Sequence, residues 1–155
     1  MADHVRIPPP YRRPSETRKI RWKGQSIHIT IGYRPDHITA CEIFYNGGYR
    51  SGSDLEALMT DICIMLSITL QQHGVTPDNL TASMSETLNV VTNQQEPASV
   101  VGLMLTELAR PPLWAGELAE RLGKPVLVPT ATAVPQQVDD EDDVKSLKTP
   151  HASLG

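Results

Sequence analysis

Apolar and polar residues alternate in the first ordered part of the chain, where Ile27, Ile29 and Ile31 are separated by single polar residues. A period of two places the three isoleucines on one face of a β-strand. A similar alternating segment precedes them, and Lys23 and Gly24 separate the two segments with turn chemistry. The pattern predicts two short antiparallel strands joined at Lys23 and Gly24.

A change from alternation to a helical period marks the longest predicted element. A third strand, residues 38–45, ends shortly before Ser53, and Ser53 with Glu56 forms the S-x-x-E pattern of a capping box. Asp54 places a carboxylate in the first turn, where the helix dipole favours negative charge. The helix is predicted to run for roughly twenty residues until Gly74 stops it. Its apolar positions at helical spacing are Leu55, Leu58, Met59, Ile62, Leu66 and Leu70.

This helix is apolar on nearly every side over residues 62–68. A helix of that kind must be covered on nearly every side. One small sheet covers one face, so the rest is predicted to meet a second helix or another subunit. Residues 98–109 offer an intrachain partner, a short helix ended by Pro111 and Pro112. We nevertheless expect a homo-oligomer.

The order of these elements predicts an α+β fold, with a small antiparallel sheet packed on one long helix plus one or two shorter helices. Residues 1–15 are rich in proline and arginine and are expected to form an extended basic arm. Residues 16–122 hold the folded domain. Residues 123–155 combine spaced prolines with an acidic run and show no sustained period, so a disordered acidic tail is expected there.

Charge is distributed unevenly along the chain, whose formal net charge is -4. Residues 1–23 carry seven Lys or Arg against two acids, whereas residues 24–110 carry three against nine. A basic arm of this kind can contact nucleic acid or an acidic partner, or it can dock on the acidic body behind it. Binding to nucleic acid is not expected, because no groove-reading motif accompanies the charge.

Cysteine and histidine positions argue against metal and redox chemistry. Cys41 and Cys63 lie among apolar neighbours, which favours buried thiols and a reducing cytoplasm. No histidine pair has the spacing that places two imidazoles on one helical face, so no metal site and no cofactor are expected. The longest apolar stretch, residues 62–70, is about half the length that a membrane span needs. We therefore expect a cytoplasmic protein without a membrane segment.

Three segments of the chain carry a resemblance to a known family: RRPSETRKI, ACEIFYNGGYRSGSDLEALM and SITLQQHGVTPDNL. Together they resemble the TSCPD domain that ends many cobalamin-dependent (class II) ribonucleotide reductases. They are still more similar to the small stand-alone TSCPD-like proteins of proteobacteria and their phages. The resemblance covers residues 12–110.

The chain departs from this family at the cysteine motif that gives the domain its name. That motif would fall near residues 96–99, where the chain reads EPAS. The resemblance implies ribonucleoside-diphosphate reductase activity by family association only. The reductase works through thiyl-radical cysteines in a large barrel, and that machinery does not fit in this chain. No catalytic residue is assigned, and we expect no enzyme activity from this polypeptide alone.

The turn between the third strand and the long helix is the candidate ligand site. Its glycines leave backbone N–H groups near the helix start, and hydroxyls and a guanidinium add donors for a phosphate or carboxylate. Acidic residues in the first helical turn oppose a polyanion unless they face away. The alternative is a tight connection in which glycine supplies positive φ and serine only caps. The predicted ligand-binding residues of the turn are Gly47, Gly48, Arg50, Ser51, Gly52 and Ser53. Arg18, from the basic cluster near the N-terminus, is added as an anion-binding residue that could reach the ligand of a neighbouring subunit; the alternative for that cluster is a solvated arm.

These patterns leave three functional hypotheses from different classes. The leading one is a non-catalytic accessory or regulatory module, related to the reductase TSCPD domain, that binds a nucleotide or another phosphorylated small molecule. The second is a phage-encoded protein that sequesters a host nucleotide signal in an oligomeric pocket. The third is a structural interaction module without a small ligand.

Overall fold

The structure is a computed structural model that describes residues 5–123. The predicted disordered tail therefore lies outside the described residues, apart from Gly123. In chain order the elements are β1 (Ser15–Trp22), β2 (Gln25–Tyr33), β3 (Ala40–Gly47), α1 (Asp54–Leu70), α2 (Pro77–Thr81), β4 (Glu86–Asn89), β5 (Gln94–Pro97), α3 (Val100–Ala109) and α4 (Ala115–Leu122). The α+β class predicted from the sequence is confirmed.

The first three strands form an antiparallel sheet in the order β1-β2-β3. Lys23 and Gly24 join the first two strands, with φ angles of 47° and 81°. Positive φ at both central residues is what a tight two-residue hairpin of type I′ requires. The turn predicted at these residues is confirmed, and it fixes the register in which Ile20 lies opposite Ile27.

One face of this sheet is buried and the other is open. The isoleucines of β2, with Tyr33, pack against α1 and α3 and are fully buried. Side chains on alternate positions point away from both helices. The core of the molecule is therefore one layer between sheet and helices, built from Ile20, Ile27, Ile29, Ile31, Tyr33, Ile43, Met59, Cys63, Leu70, Met104, Leu105 and Leu108.

Helix α1 begins as predicted but ends earlier than Gly74. Ser53 is its N-cap and accepts a hydrogen bond from the Glu56 N–H at 3.2 Å. At the other end Gln71 is the C-cap. The Gln71 carbonyl accepts a hydrogen bond from the Ile7 N–H at 2.8 Å, while its side-chain amide donates to the Cys41 carbonyl at 3.3 Å. These contacts hold the chain out of the helical path one turn before the glycine.

The outer edge of β3 is covered by α1 rather than left open. Ser67 accepts a hydrogen bond from the Ile43 N–H at 2.9 Å, and its hydroxyl lies 3.1 Å from the Ile43 carbonyl. An exposed strand edge offers unpaired backbone groups to other chains. Ser67 therefore satisfies part of that edge from within the molecule.

Residues 5–14 of the predicted arm are extended and docked on the body. Arg6 forms an isolated bridge with Gln72, and the Tyr33 N–H donates to the Pro14 carbonyl at 2.9 Å. Arg13 donates from Nε and Nη2 to the carboxylate of Glu42 on β3. Of the two interpretations left open by the sequence, docking on the acidic body is the one observed.

The β4–β5 hairpin is an element that the sequence pattern did not predict. Its strands are four residues each and mostly exposed, and they contain few of the β-branched and aromatic residues that signal strands. Ser99 then caps α3 by accepting a hydrogen bond from the Gly102 N–H at 3.2 Å. The hairpin occupies the region of the EPAS sequence.

Candidate ligand site

The glycine-rich turn brings most of the predicted site residues together between β3 and α1. Gly47, Gly48 and Gly52 all have positive φ, at 140°, 138° and 74°. The Ser53 N–H donates to the Arg50 carbonyl at 3.1 Å and closes the last part of the turn. The glycines therefore supply the positive φ values that the sequence predicts for a tight connection.

The helix N-terminus at this turn already holds an anion of the chain itself. The Glu56 carboxylate accepts a hydrogen bond from the Gly52 N–H at 2.5 Å. The Tyr49 N–H is also engaged, because it donates to the Tyr45 hydroxyl at 2.7 Å. A phosphate at this place would have to displace a carboxylate that the helix dipole stabilises. The geometry therefore favours the alternative of a tight strand-to-helix connection.

Gly48 is required here by a close approach of two backbones. A Cβ at this position would lie 2.4 Å from the Ser26 carbonyl oxygen and 2.8 Å from the Ile27 Cα. Gly47 and Gly52 have open space at the corresponding place. The glycine therefore lets the turn pass over β2, which is a packing role and not a ligand-binding one.

Arg18 is held inside its own fold, with 12% of its side chain exposed, so its predicted role toward a neighbouring subunit's ligand needs correction. Its guanidinium points into the core side of the sheet, toward the C-terminal end of α3. There it donates to the Glu107 carbonyl at 2.5 Å, to the Glu16 carboxylate at 3.0 Å and to the Tyr33 hydroxyl at 3.2 Å. We call Glu16, Arg18, Tyr33 and Glu107 the Arg18 cluster. The cluster ties β1 to α3, with partners 89 residues apart in sequence, which no local pattern could reveal.

Both cysteines are buried free thiols, as predicted. Burial raises the pKa of the Cys63 thiol to about 11 and also raises the pKa of Cys41. A raised pKa lowers the thiolate fraction near neutral pH, and the thiolate is the nucleophilic form. Neither thiol is poised for covalent or redox chemistry.

The open face of the sheet carries a second group of polar and aromatic residues. We call it the outer face; it includes Thr17 and Lys19 on β1, His28 and Thr30 on β2, and Phe44 on β3. Thr30 lies at its centre, because its hydroxyl is 2.8 Å from that of Thr17 and accepts a hydrogen bond from the Asn46 amide. Strand alternation placed these residues on one face, but the sequence prediction made no use of them.

The docked arm turns part of this face into a depression of about 750 Å³, which we call the outer-face depression. The arm forms one wall and the strands form the floor. His37, from the loop between β2 and β3, also lines the depression. The residues that matter for its chemistry are Tyr11, Arg12, Thr30, His37, Glu42 and Phe44.

Helix α1 presents apolar side chains to solvent on the side away from the sheet. We call Leu58, Ile64, Met65 and Ile68 the α1 surface; their exposed fractions range from 42% to 67%. An apolar groove of about 260 Å³ continues this surface toward α2 and α3. The groove is lined by Ile62, Met65, Leu66, Thr69, Leu80 and Val101. The intrachain partner α3 therefore leaves much of the helix uncovered.

Comparisons with known protein families, with curated proteins and with solved structures give no match for this chain. The resemblance to the TSCPD domain stays a prediction that depends on the three quoted segments. Within residues 5–123, no helix has the length and apolar character needed to cross a membrane. In the same range, no three His, Cys, Asp or Glu side chains are grouped as metal ligands.

Proposed function

We propose that this chain is a non-catalytic accessory or regulatory module, as the TSCPD resemblance suggests, and that it acts by assembling with a second copy of itself. The observation that carries the proposal is the α1 surface. Met65 is 67% exposed and Leu58 is 54% exposed, on a helix whose opposite side is fully packed. Adjacent exposed apolar side chains of this kind mark interaction sites in soluble proteins.

The arrangement on the helix supports a second copy as the partner. The four residues of the α1 surface fall within one sector of the helix, because positions three, four and seven apart share a side. A helix of 17 residues is about 25 Å long, enough for two copies to pair side by side. Asp61 lies in the same sector and is exposed, so pairing must leave its carboxylate in contact with water.

The proposal keeps the cytoplasmic location expected from the sequence, and two free buried thiols agree with a reducing compartment. The proposed role involves no reaction. The buried thiols support a non-catalytic role, because their pKa values are raised and a nucleophilic cysteine needs a lowered pKa.

The test compares oligomer mass by light scattering for wild type, Met65→Glu and a matched control, Leu113→Glu. Leu113 is also an exposed apolar residue, but it lies outside α1. We expect a wild-type oligomer and a control that assembles as wild type does. We expect Met65→Glu to be a monomer that circular dichroism shows to be folded, with a melting temperature lowered by the loss of assembly. A wild-type protein that stays monomeric at high micromolar concentration would overturn the proposal, and so would dissociation by both variants.

A further inference from the structure

The outer-face depression is shallow and widely open to solvent, and it brings together a cation, two aromatic rings and a polar floor. Its volume of about 750 Å³ is within the range of about 300–1,000 Å³ typical of small-molecule sites. It lies on the side of the sheet away from α1. Its properties therefore do not depend on whether the chain self-associates.

Charge in the depression favours an anionic ligand. Glu42 is the one carboxylate among its described lining residues, and both of its oxygens accept hydrogen bonds from Arg13. That pairing neutralises the negative charge of Glu42. Arg12, by contrast, is exposed and makes no hydrogen bond or ion pair with any residue of the described range 5–123. Its planar guanidinium has the geometry that binds phosphate through paired hydrogen bonds.

Lys19 extends this positive charge along the sheet. It is exposed on the outer face, two positions beyond Thr17, whose hydroxyl contacts Thr30 in the floor of the depression. Residues two apart on a strand point to the same side and lie about 7 Å apart. Lys19 therefore adds positive charge to the same face of the sheet, outside the residues that line the depression.

Aromatic rings in the same depression favour a ligand with a planar ring system. Phe44 is 47% exposed, on a strand position where it pairs across from Thr30, and Tyr11, at the rim, is 99% exposed. Exposed aromatic rings beside cations are the combination on which nucleobases stack. The Thr30 hydroxyl is already engaged by Thr17 and by the Asn46 amide, and the carbonyl oxygen of the Asn46 side chain adds an acceptor on the same face as Phe44.

We propose that the outer-face depression binds a nucleotide, with its phosphates at Arg12 and its base against Phe44 or Tyr11. This site differs from the glycine-rich turn, where the chain's own Glu56 carboxylate already occupies the helix N-terminus. The shared chemistry, a base next to a phosphate, is offered both by free nucleotides and by single-stranded nucleic acid. The test below separates these two sources.

Calorimetric titration of the full chain with ATP, GTP and dCTP tests the site, with adenosine and inorganic triphosphate as probes that lack one half of the ligand. We expect at least one nucleotide to bind, and both half-ligands to bind about tenfold more weakly or worse. Arg12→Ala and Phe44→Ala should each weaken nucleotide binding by about tenfold. Arg50→Ala in the glycine-rich turn is the matched control and should leave the affinity unchanged.

A titration with single-stranded oligothymidylate of about ten nucleotides identifies the source of the ligand. The decisive result is that the oligonucleotide binds more tightly than any free nucleotide and that Arg12→Ala and Phe44→Ala weaken its binding to the same extent. That result would support the site and identify single-stranded nucleic acid as its ligand. The proposal is overturned if no probe binds at millimolar concentration. It is equally overturned if Arg50→Ala weakens binding while Arg12→Ala and Phe44→Ala do not. Circular dichroism of each variant confirms that loss of binding is not loss of fold.

Discussion

Because Gly48 has no side chain, the turn can pass close to the backbone of β2. A Cβ there would meet the Ser26 carbonyl oxygen at 2.4 Å, and φ is 138°. Gly48→Ala is therefore expected to destabilise the fold by about 3 kcal/mol or more, from steric overlap and positive φ together. Gly52→Ala meets no atom within 4 Å and carries only the cost of its φ of 74°, about 1–2 kcal/mol.

Urea denaturation of the two variants measures this difference directly. Equal losses would show that the close approach to β2 does not exist in solution. Neither variant is expected to alter nucleotide affinity at the outer-face depression, because neither residue lines it. The pair therefore also separates the packing role of the turn from its predicted role as a ligand site.

At the scale of elements, the Arg18 cluster joins the sheet to the C-terminal end of α3 through buried polar contacts. Arg18→Met would leave the buried Glu16 carboxylate without its cation, whereas Glu107 would keep its ion pair with Arg110 at 2.9 Å. Removing one partner of a buried ion pair costs about 3–5 kcal/mol. Lys19→Met, at the next residue but on the open face, should change stability by only about 0.5 kcal/mol.

Chemical denaturation of both variants, with tryptophan fluorescence as the signal, checks this prediction. A small effect of Arg18→Met, equal to that of Lys19→Met, would contradict it. Adding Glu16→Gln in the Arg18→Met background should restore part of the stability, since the uncompensated charge of Glu16 is then removed.

Elements defined by local signals were predictable from the sequence, and those defined by distant contacts were not. Lys23 and Gly24 specify a hairpin by their own backbone preference, and the Ser53 cap needs only Glu56 three residues later. The β4–β5 hairpin lacks strand-forming residues and was missed. The early end of α1 was also missed, because it depends on Ile7, far away in sequence.

The contrast between local signals and distant contacts also explains which parts of the two candidate sites were predictable from the sequence. The glycine-rich turn is contiguous in sequence, so its conformation was predicted, although the position of the Glu56 carboxylate was not. The outer-face depression is built from three separate segments around residues 11–15, 37 and 42–44 and from Thr30. Alternation along β2 and β3 placed Thr30 and Phe44 on the open face. Only the docking of the arm made that face concave.

At the scale of the whole molecule, the arm contacts both the C-terminal end of α1 and strand β3 of the sheet. Near its start the Ile7 N–H binds the Gln71 carbonyl at the end of α1, and near its end Arg13 pairs with Glu42 on the sheet. Glu42 is buried, with 5% of its surface exposed, whereas Arg13 is only partly buried. The buried negative charge of Glu42 is therefore balanced by Arg13 of the arm.

Arg13→Ala should destabilise the fold by about 2–3 kcal/mol, less than a fully buried pair because solvent screens part of the charge. It should also raise the hydrogen-exchange rate of the Ile7 amide, since a released arm loses its hydrogen bond to Gln71. Adding Glu42→Gln should restore most of the stability, because the buried charge is gone, but not the protection of Ile7, because the arm remains untethered at Arg13. Full protection of the Ile7 amide in Arg13→Ala would instead show that the contacts of Arg6 and Ile7 with Gln71 and Gln72 are enough to hold the arm. The arm would then form the wall of the outer-face depression without the Arg13–Glu42 ion pair.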